Sequence, residues 1–140
     1  MRRLLLPACL VLLATAPAAR AQECDRNDDS QSMLNICADA DYQAADTKLN
    51  DAYKNIVSHN DQASNKLLQT AQRAWIAFRD AECAYDTADS QGGSIHPMEV
   101  SQCLRKLTNE RTRQLASDAS CKLSDPNCAG SDAGNDQDLQ

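Results

Sequence analysis

From Ser32 to Ser58 the chain reads SMLNICADADYQAADTKLNDAYKNIVS, in which Met33, Cys37, Ala40, Ala44, Leu49, Ala52, Tyr53 and Ile56 recur at spacings of three and four, with acids between them. That period predicts an amphipathic helix with Ser32 as its N-cap. The polar stretch HNDQASN follows, a turn in which Asn60 or Asp61 caps the next element. A second helix is predicted from Ala63 to Ala88, with Leu67 or Leu68, Ala71, Trp75, Phe78 and Tyr85 as its buried stripe. DSQGGSIHP breaks the pattern, because Gly92 and Gly93 permit unusual backbone angles and Pro97 suits the first turn of a new helix. The third helix is predicted from Pro97 to Asp118, with Val100, Cys103, Leu107, Arg111, Gln114 and Leu115 inward. Past Ser120 the sequence has two leucines among many Asp, Asn, Ser and Gly residues. So little apolar surface does not offset ordering entropy, and the stretch reads as a short knuckle followed by a disordered tail.

Short connections between three helices make an all-α, up-down-up bundle, small enough to need covalent staples. The expected organisation is a signal peptide at 1–21, a helical domain at 22–118, and a Cys-bridged knuckle with an acidic tail at 119–140. Arg2 and Arg3 supply the basic start of the leader, Leu4 to Leu13 its apolar stretch, and Ala19-Arg20-Ala21 its cleavage signal. That apolar run is too short to cross a bilayer, where about 20 residues are needed, so export to the periplasm or beyond is expected without membrane insertion. A lipoprotein reading is disfavoured, because Glu23, not a small residue, precedes Cys24, and Cys9 leaves too little apolar stretch before it.

Export changes what the cysteines mean. Of seven, the leader removes Cys9 and leaves Cys24, Cys37, Cys83, Cys103, Cys121 and Cys128, an even six that reads as disulfides. No closely spaced C-x-x-C pair suggests zinc, and neither metal nor cofactor is expected. In an up-down-up bundle Cys37, Cys83 and Cys103 share one end. Cys37 and Cys103 fall on inward stripes and Cys83 off the Phe78 to Tyr85 line, facing outward. The preferred pairing is therefore Cys24–Cys83 with Cys37–Cys103, while Cys24–Cys103 with Cys37–Cys83 stays open. Cys121–Cys128 would bridge across KLSDPN, a turn-forming stretch.

Loss of Arg2, Arg3 and Arg20, with no acid, moves the formal charge from −6 to −9. That balance disfavours nucleic acid and anionic lipid and favours encounter with basic proteins.

The densest chemistry lies in QRAWIAFRDAEC, residues 72–83, which holds the single Trp and single Phe. Helical spacing puts Arg79 beside Trp75 and Glu82, a stacked and paired packing element, with Trp75 and Phe78 expected in the core. Asp80 and Glu82 point about 200° apart on a helix, which makes them poor acid and base partners. His59 and His96 lie at opposite ends of the bundle, and no Ser or Cys nucleophile has a base at readable spacing. No catalytic residues are expected. Gly92, Gly93, Ser94 and His96 form the one exposed glycine-rich loop held between staples, a candidate tip for binding a partner.

MLNICA at Met33, Tyr42, ADTKLNDAY at Ala45, LLQTAQRAWIAFRDAEC at Leu67, GGSIHP at Gly92, Cys103 and LTNERTRQL at Leu107 recur in order. Together they resemble the LprI-like lysozyme inhibitor N-terminal domain family over Cys24 to Leu115. The resemblance implies an exported helical domain, with lysozyme inhibition attributed to a named member, and it brings no inhibitory residues with it. Compartment, charge and resemblance point to a monomeric, non-enzymatic inhibitor that occludes the cleft of a basic lysozyme-type muramidase. The other reading is an envelope scaffold or stress protein that binds another cell-envelope protein.

Overall fold

A computed structural model describes residues 23–124, with side chains to residue 119. Helix α1 spans Gln31–His59, α2 Gln62–Asp86 and α3 His96–Ser124, with a 3-10 turn at Ala88–Ser90 before the last of them. The three helices form an up-down-up bundle, and the described residues contain no strand. The leader and the Cys121–Cys128 bridge lie outside the described residues and side chains. Helix α3 continues to Ser124, which moves the end of the helical domain past the expected 118 and makes the start of the supposed knuckle helical.

Side-chain caps decide where the helices begin. Ser30, not Ser32, caps α1: its hydroxyl accepts from the Met33 amide. The Asp28 carboxylate in turn accepts from the Ser30 amide at 2.8 Å, and that bond holds the Asp28 pKa below its usual value. Only Asn60 and Asp61 separate α1 from α2. Asp61 caps α2 through the Ser64 amide at 2.8 Å, while Asn65 Nδ2 donates back to the Val57 carbonyl at 3.0 Å, satisfying an acceptor at the end of α1.

Helices α1 and α3 run parallel and pack most extensively. Small buried residues permit this: Ala38 and Ala45 on α1, Ser101 and Thr108 on α3, each pair seven residues apart. Farther along, Leu49, Ile56 and Leu115 form the apolar core, against which Ala52, Tyr53, Leu68, Trp75 and Ala119 pack. Ala40, Ala44 and Gln114, expected inward, are exposed.

The largest departure from expectation is the rotation of α2. Leu68, Gln72, Trp75, Arg79 and Cys83 make its inward face, whereas Leu67, Phe78 and Tyr85 are 74 %, 53 % and 79 % exposed. Phe78 is thus not a core residue, and Trp75 is only half-buried. The physical reason lies in what holds α2 to α3. Arg111 Nε donates to Gln72 Oε1 at 3.1 Å, Arg79 reaches Thr108, and Cys83 bonds to Cys103. These links select a polar stripe for the inside.

The same rotation corrects the disulfides. The bridges are Cys24–Cys37 and Cys83–Cys103, so neither Cys24–Cys83 with Cys37–Cys103 nor the other arrangement occurs. Cys83 is 1 % exposed and faces α3, out of reach of the N-terminal arm. That arm instead folds onto the first turns of α1, where the Asp25 amide meets Met33 Sδ at 3.2 Å and Arg26 pairs with Asp41 at 2.6 Å.

Candidate partner-binding surface

The loop between α2 and α3 is fastened at every step. Thr87 donates its hydroxyl to the Cys83 carbonyl at 2.7 Å and closes α2. The Gly93 amide donates to the Ser90 carbonyl at 2.9 Å. Gly92 sits at φ +83°, a left-handed backbone that favours glycine. At Gly93 a Cβ would meet the Ser90 carbonyl oxygen at 3.0 Å, so that turn also selects glycine. Ser90 Oγ lies 3.0 Å from both the Thr87 carbonyl oxygen and His96 Nδ1. Its hydroxyl thus links the end of α2 to the first residue of α3. Asn35 Nδ2, on α1, donates to the Ser94 carbonyl at 3.0 Å and ties the loop to the rest of the bundle.

Of the four expected tip residues, Gly92, Gly93 and Ser94 are exposed and His96 is half-buried beneath them. His96 therefore braces the loop from below. Ile95, which no pattern singled out, is exposed beside Ser94. An open concavity of about 700 Å³ adjoins the loop, with Asp86, Asp89, Glu99, Arg105 and Lys106 among its lining residues. Cys103 also lines it, and its bond to Cys83 ties this wall on α3 to α2.

Residues 72–83 are a packing centre. The Arg79 guanidinium is sandwiched 5.3 Å from the Trp75 ring centroid and 5.6 Å from that of Tyr42. Its Nε and Nη2 donate to Asp80 Oδ1 at 2.9 and 2.8 Å, and Nη1 lies 3.8 Å from Asp46. The expected pairing with Glu82 is replaced by these two aspartates. Tyr42, Asp46 and Thr108 were not legible as its partners, since only tertiary packing brings α1 and α3 to that turn. His59 bonds locally to Asn55 and Ser58 at the far end from His96.

Burial raises the Tyr42 pKa, and the nearby Arg79 charge only partly opposes it. A phenol that resists ionisation in the folded state loses its proton first in the unfolded state. Stability should therefore be intact below pH about 10 and fall as pH rises beyond it. Alkaline denaturation at stepped pH, compared with Tyr42→Phe, should show a shallower fall in the variant. Superimposable profiles would contradict the assignment.

Comparisons with known proteins give the chain's relatives. Residues 22–115 match the family described as "Lysozyme inhibitor LprI". An uncharacterized protein of Rhizobium meliloti is 43 % identical over 121 residues, 76 % of this chain and 87 % of the relative. The uncharacterized protein YecT of Escherichia coli is 30 % identical over 108 residues, 64 % of this chain and 67 % of the relative. No solved structure matches significantly.

Proposed function

From the premise that this chain belongs to the LprI family of lysozyme inhibitors, we propose that it is an exported binding protein that inhibits a muramidase by occluding its cleft. The family match carries the reading. The formal charge of −9 expected after leader removal supports it, because an acidic inhibitor is steered toward a basic enzyme and gains association rate. The Gly92–His96 tip is the occluding element in this proposal. It is exposed, braced from α1 by Asn35 and mounted beside a disulfide, so little conformational entropy would be lost on binding.

Titration of a basic muramidase with the mature protein, residues 22–140, tests this by following lysis of cell-wall suspensions at low and near-physiological salt. Inhibition should appear at low salt and weaken as salt rises, since exposed charges are screened. Ser94→Arg with Ile95→Arg places positive charge at the tip and should weaken inhibition by at least about 10-fold. Undiminished lysis at low ionic strength, across several muramidases, would remove the inhibitor reading. Unchanged inhibition by the tip variant would remove the tip assignment.

A further inference from the structure

The outward face of α2 is used neither by the core nor by the tip. Leu67, Ala71, Ala74, Phe78, Ala81 and Tyr85 are all exposed, and at helical spacing they fall within about 40° of a single line along the helix. Thr70 and Ala77 border one edge of this stripe without charge, and the half-buried Glu82 borders the other. An uncharged, partly aromatic stripe running most of the length of α2 is unusual on an acidic molecule and marks an interaction surface.

The order of sizes along the stripe identifies what fits it. Reversed end for end about the level of residue 76, Leu67 comes opposite Tyr85, Ala71 opposite Ala81, and Ala74 opposite Phe78. Each large ring meets a smaller side chain, and alanine meets alanine midway, where two helices can approach closely. We propose that this face is an interface between two copies of this chain, α2 against α2, antiparallel about a two-fold axis at the level of residue 76.

Such an interface is isologous and closes on itself. Leu67, Phe78 and Tyr85 offer on the order of 400 Å² per copy before the alanines are counted, which places the dimer in the weak, concentration-dependent class. An alternative cover, the segment 125–140, has one leucine, no aromatic residue and four aspartates, so it lacks the side chains to match the stripe. Dimerisation in this geometry leaves both Gly92–His96 loops free, at opposite ends of the paired helices.

Sedimentation equilibrium on the mature protein, from about 1 µM to about 500 µM, spans the affinities expected of so small an interface. The mass should rise from monomer toward dimer. Phe78→Ala and Ala74→Phe should each weaken the dimer at least about 10-fold, the first by leaving a gap and the second by setting ring against ring. The double variant exchanges large for small on both copies and should restore association to within a few-fold, an outcome that only the antiparallel register produces. Phe78 is exposed, so unchanged helical circular dichroism in its variant separates lost association from lost folding. The proposal is overturned if the wild-type protein stays monomeric throughout, if it associates only with a muramidase, or if it dimerises only after residues 125–140 are deleted. Dimerisation indifferent to Phe78 and Ala74 would overturn it equally.

Discussion

Leu115→Ala is expected to destabilise the protein by about 3 kcal/mol, near the middle of the range for a buried leucine truncated in a packed core. Leu115 is 1 % exposed and joins Leu49 of α1 and Ile56 of α1 in the one apolar cluster of the described residues. Ala52, Tyr53, Leu68, Trp75 and Ala119 pack around that cluster, so truncation leaves a cavity among neighbours already held in place. A loss of this size is a large fraction of the stability of a small domain. Urea denaturation should show a lower midpoint with an unchanged slope. Phe78→Ala in the same series should shift the midpoint very little, by the equivalent of about 0.5 kcal/mol or less, because that ring is largely in water. Equal losses at the two positions would mean that α2 is turned the other way.

Removal of the Cys83–Cys103 bridge, as Cys83→Ser with Cys103→Ser, is expected to cost about 3 kcal/mol, the loop-closure value for a separation of 20 residues. The effect should extend beyond global stability, because the closed loop contains the 3-10 turn and the whole Gly92–His96 tip. Amides of residues 88–96 should exchange faster in the variant than those of α1, as a local opening would produce. The Cys24–Cys37 bridge closes a loop of 13 and fastens only the N-terminal arm, so its removal should speed exchange in residues 24–37 and leave residues 88–96 protected. Thermal denaturation and hydrogen exchange of both variants distinguish these outcomes.

Much of the fold was legible because helix periodicity and turn chemistry agreed. The polar break at Asn60-Asp61 and the Gly92-Gly93 pair placed the connections, and Asp61 caps α2 as its side chain suggested. The rotation of α2 was not legible. Two stripes compete on that helix: Leu67, Phe78 and Tyr85 form the more apolar line, whereas Leu68, Trp75, Arg79 and Cys83 form the one that is buried. Counting hydrophobic residues favours the first, since arginine scores as polar. The second prevails because Arg79 finds two aromatic rings, two aspartates and Thr108 waiting for it. A buried charge so surrounded is tolerated, and the disulfide fixes the orientation. The bridges depend on the same rotation: an outward Cys83 would meet the N-terminal arm, whereas the inward one meets Cys103 and leaves Cys24 to Cys37. At the tip, glycine chemistry located the loop, but the exposure of Ile95 and the bracing by Asn35 required tertiary structure.

Whether α2 sits with Cys83 inward and Phe78 outward decides the packing of Arg79, the mounting of the tip and the free stripe together, and disulfide mapping of the oxidised mature protein reads it directly. Cleavage under non-reducing conditions after arginine, lysine and glutamate separates all six mature cysteines onto different peptides. The predicted result joins peptide 24–26 to 27–48 and peptide 83–99 to 100–105. Recovery of 24–26 joined to 83–99, or of Cys83 as a free alkylatable thiol, would contradict it.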